Sequence, residues 1–285
     1  MFFKTGYYNT MSQRIRPAYC AGKYYSKQKS ILEREVAVFL ENAAPLENVR
    51  HVYGLIAPND DYYSSGGVAA RSYRQIIDQD FDYVIIISSS QHTYFEEISL
   101  FNGEAYETPM GKVPVATELI QQIAGVSDKI IISDIGHEAD ENGIEVQLPF
   151  LQQILYEFRV VPIMMGNQDP ENIRLLADAL VEVANGKNVL FVASTNLSQN
   201  HTYQQAVRLD KEVVGLVEKC QVDELNRRYQ EGAIEMSSGG AAICLMQTCC
   251  QLGAEKSQVL LYRNSGDMGT EKNAVTGYLS AVLYD

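Results

Sequence analysis

Apolar residues arrive along this chain in two rhythms. Short runs rich in Val and Ile read as strands buried on both faces: VYGLIA (52–57), YVIIISS (83–89), KIIISD (129–134), FRVVPIMM (158–165) and NVLFVAS (188–194). Between them lie longer segments with apolar positions three and four apart, which predicts amphipathic helices at 30–43, 66–77, 116–125, 170–186 and 205–220. Such alternation is the pattern of a parallel or mostly parallel sheet covered by helices. Two further strands are expected at 258–264 and 276–285. Segment 93–115 alternates around Asn102-Gly103, a hairpin signal that predicts added antiparallel strands and therefore a mixed sheet. No Pro/Gly/Ser-rich linker, charge block or internal repeat interrupts the pattern, so residues 1–285 read as a single α/β domain with a mixed, mostly parallel central sheet flanked by helices.

Composition narrows the function classes. A chain of 285 residues that is 46% hydrophobic can bury a core without disulfides or a structural metal. Asp and Glu number 36 against 23 Lys and Arg, and the resulting −13 repels phosphate backbones and anionic head groups. Neither nucleic acid nor a membrane is expected as a partner. No stretch approaches the roughly 20 apolar residues of a membrane span, and the amino terminus has Phe2 and Phe3 but no sustained apolar core of a leader, so a cytoplasmic protein is expected. The cysteines, Cys20, Cys220, Cys244, Cys249 and Cys250, are odd in number and show no CxxC or zinc-ligand spacing, which suits a reducing compartment. Cys244, Cys249 and Cys250 lie in the apolar run AAICLMQTCCQL and read as small buried thiols with no chemical role.

Candidate chemistry gathers where strands end, because ligands of open α/β sheets settle at the carboxyl ends of the strands. Asn59, Asp60 and Asp61 follow the first strong run; Ser90, Gln91 and His92 follow the second; Thr195, Asn196, Ser198, Gln199, Asn200 and His201 follow the last. Turn and cap chemistry favours the same residue types, but three such junctions on one edge point to a pocket. Segment 137–145 adds His137, Glu138, Asp140, Glu141 and Glu145; its spacing does not fit a calcium loop, and it reads as a solvated helix start with acids in the first turn. SSGG (237–240) reads as a turn entering an apolar helix, where free backbone N–H groups could meet an anion. No GxSxG turn is present and no Cys falls in these loops, which argues against a serine or cysteine hydrolase.

Taken in order, these segments resemble the Memo-like family, the B component of the AmmeMemoRadiSam set, whose members resemble class III extradiol dioxygenases in fold. RPAYCAGKYYS (16–26) resembles the family's RPPAVAGxFYP, LIAPNDDYYSSG (55–66) its APHAGYxYSG, and SSSQH (88–92) its GPxHH. ENGIEVQLPFLQ (141–152) resembles EHSxEVQLPFLQ, STNLSQNHTY (194–203) resembles SSDLSHYxxY, and SSGG occupies the place of CGxG. The resemblance implies a metal pocket, and its ligand positions are altered here. Asn59, Gln91, Asn142 and Gln199 stand where the family has His, Asn196 where it has Asp, and Ser237 where it has Cys. Only His92 keeps the family residue in register.

Imidazole and thiolate bind iron, copper or zinc well; neutral carboxamides and a hydroxyl offer hydrogen bonds instead. The expected site is therefore lined by Asn59, Asp60, Gln91, His92, Asn142, Asn196, Gln199 and Ser237, with no metal and no cofactor. Two function classes follow. One is a catalytically silent or ligand-binding homologue that takes a small polar or anionic molecule or a protein partner. The other is an enzyme, dioxygenase-like or hydrolytic, with His92 as candidate catalytic base beside Asp60 or Asp61.

Overall fold

The computed structural model describes residues 14–269 and 271–285. The amino-terminal stretch read for a leader lies outside the described residues. Eleven strands and eight helices follow one another among the described residues: β1 (Ile15–Arg16), α1 (Lys29–Glu41), β2 (Val52–Ala57), α2 (Gly67–Tyr73), β3 (Tyr83–Ser89), β4 (Ile98–Phe101), β5 (Ala105–Thr108), β6 (Gly111–Pro114), α3 (Thr117–Ala124), β7 (Ile130–Ser133), α4 (Leu148–Ile154), β8 (Arg159–Met165), α5 (Pro170–Ala184), β9 (Val189–Ser194), α6 (Tyr203–Glu218), α7 (Val222–Gln230), α8 (Gly239–Leu252), β10 (Lys256–Asn264) and β11 (Gly277–Tyr284).

The main sheet has the order β10-β11-β2-β9-β3-β8-β4-β7. Its centre, β2-β9-β3-β8, is parallel throughout. These four strands are the apolar Val/Ile-rich runs, buried along almost their whole length, as strands covered on both faces must be. Antiparallel neighbours flank the centre, β11 against β2 and β4 against β8, so the sheet is mixed. Helix α8 lies across β2, β9 and β3, backed by α5 and α7; α2 lies across β2, β10 and β11, backed by α1 and α4.

Local chemistry places the helix starts. Asp169 caps α5 by accepting from the Asn172 N–H at 2.8 Å, with Pro170 following, and Thr202 forms a capping box with Gln205 at the start of α6. The helix expected at 66–77 is shorter: a π turn (Tyr62–Gly66) precedes α2, and a 3-10 turn (Arg74–Ile76) follows it.

The hairpin signal at Asn102-Gly103 has a different cause. Strand β4 joins the main sheet, while β5 pairs with β6 and β1 in a separate three-stranded sheet, so the reversal between adjacent strands falls at Pro109-Met110. Gly103 is where the chain crosses between sheets: a Cβ there would lie 2.3 Å from the Phe101 ring and 2.7 Å from the Arg14 carbonyl oxygen. Close approach, not turn type, requires the glycine.

Candidate functional site

Strands β2, β9 and β3 are neighbours, so their carboxyl ends deliver Asn59-Asp60, Asn196 and Gln91-His92 to one edge of the sheet. Segment 137–147 lies over these ends. Gly143 makes that approach fit, because a Cβ there would sit 2.2 Å from Ser88 Oγ. The Ser194 hydroxyl donates to the Gly143 carbonyl, and Gln147 Nε2 donates to the Pro58 carbonyl at 2.9 Å and to Ser194 Oγ at 2.8 Å. The start of α8 closes another side: Ser238 Oγ accepts from the Ser89 N–H at 3.1 Å, and Ser237 Oγ accepts from the Asn196 N–H at 2.9 Å.

These elements enclose a cavity of about 260 Å³, lined by Tyr24, Asn59, Asp60, Gln91, His92, Asn142, Asn196, Gln199, Asn200, Ser237 and Thr276. All eight residues singled out from the sequence are in that lining. Asn200, named among the residues after the last strand, joins them with a left-handed backbone at φ 60° that Asn tolerates; Tyr24, inside the motif 16–26, and Thr276 were not anticipated. Ser198 and His201 point elsewhere: the Ser198 N–H donates to buried Asp210 at 3.0 Å, and the His201 ring pairs with Glu235 at 2.8 Å on the surface.

Asn59, Asn142 and Asn196 are half engaged, and the Gln199 side chain is not engaged. Asn59 donates its backbone N–H to Asn196 Oδ1 at 3.0 Å and its Nδ2 to the Ser194 carbonyl at 3.2 Å, while Asn142 Nδ2 donates to the Asn59 carbonyl. Gln91 Nε2 donates to Ser89 Oγ at 2.9 Å. Among the described residues Asn59 Oδ1, Asn142 Oδ1, Asn196 Nδ2, the Gln199 side chain and the His92 ring have no protein partner.

The carboxylates divide by task. Glu141 is buried and accepts from Ser90 Oγ, from the Gln91 N–H at 2.9 Å and from the His92 N–H at 3.1 Å. It fixes the backbone that carries His92 and leaves the imidazole without an orienting acid. Asp60 accepts from the Tyr278 hydroxyl at 2.7 Å and from the Asp61 N–H at 2.8 Å; burial still pushes its carboxyl above the usual range. Asp61 is a cap, accepting from the Ser64 N–H at 3.0 Å at the π turn.

Of the acidic stretch 137–145, expected to be solvated, Glu138 and Asp140 are exposed, but His137, Glu141 and Glu145 are buried, with Glu145 fully inaccessible. Glu145 pairs with the Arg16 guanidinium and accepts from the Tyr25 hydroxyl and from the Cys20 N–H at 2.8 Å. Arg16 also donates to the carbonyls of His137 at 2.8 Å, Glu138 at 2.9 Å and Glu141 at 2.6 Å. The anion site expected at the start of α8 is narrowed in the same way, since the Gly240 N–H already donates to Gln168 Oε1 at 2.8 Å. Cys250, expected in the core, is exposed at the end of α8.

The motifs behind this cavity run the length of the chain, and so does the match to a family model described as Memo-like protein, which covers residues 16–282. The chain belongs to the Memo-like family. A MEMO1 family protein of Nitrosopumilus maritimus is 29% identical over 93% of this chain and 98% of its own, and one of Thermotoga neapolitana is 30% identical over 94% and 99%. The crystal structure of an uncharacterized protein from Escherichia coli K12 superposes with a TM-score of 0.53 at 12% identity, over 81% of this chain and all of that one, and shows a shared fold. No helix among the described residues of this Memo-like chain is long and apolar enough to cross a membrane.

The metal pocket that the resemblance implies does not fit the donors of this Memo-like cavity. Its lining offers one imidazole, carboxamides, the hydroxyls of Ser237, Thr276 and Tyr24, and a carboxylate already engaged by Tyr278. Transition-metal sites use three or four strong donors. Among the described residues no group of three or more His, Cys, Asp or Glu stands where it could hold a metal ion.

Proposed function

We propose that this Memo-like protein uses its cavity as a binding module for a small, neutral, hydrogen-bonding molecule, in place of the metal chemistry its motifs suggest. The observation that carries the reading is the set of unused donors and acceptors, Asn59 Oδ1, Asn142 Oδ1, Asn196 Nδ2 and the whole of Gln199, gathered at one 260 Å³ opening. Carboxamides both donate and accept, which matches hydroxyl and amide groups on a ligand. Asn142 and Gln199 are only half-buried, so these groups meet water when the cavity is empty, and a ligand that binds must replace that water with hydrogen bonds of its own. Charge selects among ligands: no Lys or Arg is in the lining, Asp60 is, and the chain carries −13, so a neutral or ammonium-bearing molecule is favoured over an anion.

Calorimetric titration with a panel of polyols, sugars, nucleosides and primary amides, beside phosphate and citrate as anions, tests the reading. At least one neutral member is expected to bind, and Gln199→Ala to weaken it about tenfold, the effect of losing one good hydrogen bond. Stoichiometric copper, iron or zinc bound at submicromolar concentration and lost in His92→Ala would overturn it. The enzymatic alternative, His92 as base beside Asp60, lacks a carboxylate on the imidazole ring, and no observation favours it over binding.

A further inference from the structure

Far from the cavity, at the other end of α8, two thiols face each other. Cys250 is exposed in the last turn of that helix, and Cys220 is half-buried in the turn joining α6 to α7, with their sulfurs 3.4 Å apart. Cys220 holds a left-handed backbone at φ 50°, unusual for a residue with a Cβ, and this sets its side chain toward α8. The other cysteines are unlike this pair: Cys20, Cys244 and Cys249 are buried.

From this pairing we propose that Cys220 and Cys250 are a reversible dithiol–disulfide site, oxidised by a peroxide or by a small-molecule disulfide, that ties the α6–α7 turn to the carboxyl end of α8. The roles follow from environment. The hydrogen bond between the two sulfurs holds the Cys250 thiol down to about 7 and raises that of Cys220, so Cys250 is the nucleophile and Cys220 the resolving thiol. With a disulfide RSSR, the Cys250 thiolate attacks one sulfur and expels RS⁻, leaving a mixed disulfide. Cys220, losing its proton, attacks Cys250 Sγ, forms the internal S–S bond and expels the second RS⁻. Both leaving thiolates take up the two protons, so two protein thiols are oxidised and RSSR is reduced to two RSH. With hydrogen peroxide, Cys250 becomes a sulfenic acid and the first water leaves; attack by Cys220 expels the second.

The thiol pair and the cavity lie at opposite ends of α8. That helix runs about 16 Å from Gly239, beside the cavity wall at Ser237, to Cys250. The site is independent of what the cavity binds.

The test uses the full chain, purified reduced, exposed to a few equivalents of oxidised glutathione or hydrogen peroxide, quenched with an alkylating reagent and mapped without reduction. The expected result is one new linked peptide joining Cys220 and Cys250, formed within minutes, reversed by dithiothreitol, with Cys20, Cys244 and Cys249 still free. In Cys220→Ser the reaction should stop at Cys250, as a glutathione adduct or a sulfenic acid; in Cys250→Ser, Cys220 should stay unmodified. Oxidation of Cys250 in the intact chain while Cys220 remains a free thiol, or links only between separate molecules, would overturn the proposal. Neither outcome depends on ligand binding, so failure here leaves the cavity reading untouched, and the reverse holds.

Discussion

One segment, 137–147, serves two polar regions that differ in kind. On one side Glu145 meets Arg16, Tyr25 and the backbone of Cys20, and Arg16 gives three further hydrogen bonds to carbonyls, so the buried charges are paired with each other and with the backbone. On the other side Asn142 joins Asn59, Asn196 and Gln199 around an opening, with acceptors and donors left over. One is an ion pair and the other a set of neutral amides, and they differ above all in completeness. A cluster that satisfies itself holds a shape, whereas one that stops short at an opening keeps its remaining bonds for something that enters.

The strongest way to break this contrast is to remove one member of the closed cluster. Glu145→Ala leaves the Arg16 guanidinium buried without its partner and is expected to cost about 3–5 kcal/mol by urea unfolding. A loss under about 1 kcal/mol would show that the cluster does not hold the fold. Next comes acidity. His137 is buried against the Tyr106 hydroxyl at 2.6 Å, and burial lowers its imidazole to about 3. The unfolded chain then binds this proton first, so stability is complete above the ordinary value near 6.5 and is lost as the pH falls from there toward 3. Between pH 6.5 and 5 the loss should be roughly 2 kcal/mol, and His137→Gln should flatten that slope.

Glu141 stands on the boundary of the two regions. Glu141→Ala removes the acceptor for Ser90, Gln91 and His92 and should cost about 2 kcal/mol, the range for hydrogen bonds to a charged group. It should also release the backbone N–H groups of Gln91 and His92 to fast hydrogen exchange. The smallest change in stability is expected at the open side: Gln199→Ala should shift unfolding by less than about 0.5 kcal/mol, as surface substitutions do, while weakening the ligand. A loss of several kcal/mol there would mean that the cavity residues hold the fold as well, and the contrast would fail.

Much of this was legible in the chain. The centre of the sheet was, because β2, β3, β8 and β9 are continuous apolar runs whose burial needs no distant information. Asn59, Gln91 and Asn196 were legible because they sit where any parallel strand delivers its next residues, whereas Asn142 and Ser237, away from strand ends, were placed by the family motifs they resemble. Partners far along the chain were not. Glu145 read as solvated because Arg16, 129 residues away, is what makes its burial tolerable. Cys250 read as core because the apolar run of α8 gives no sign of where the helix emerges at its end. Asn102-Gly103 read as a turn because two residue types cannot distinguish a reversal from a crossing between sheets.

The strand order also governs how the chain must be made. VYGLIA, in the middle of the sheet as β2, is bordered by β9 and β11, and the nearer of these begins at Val189. During synthesis this apolar segment, along with both its hydrogen-bonding edges, waits for well over a hundred further residues, on the order of ten seconds at cellular translation speeds. An unpaired edge of that character invites other nascent chains. Slower translation past Val52–Ala57 should therefore raise the aggregated fraction.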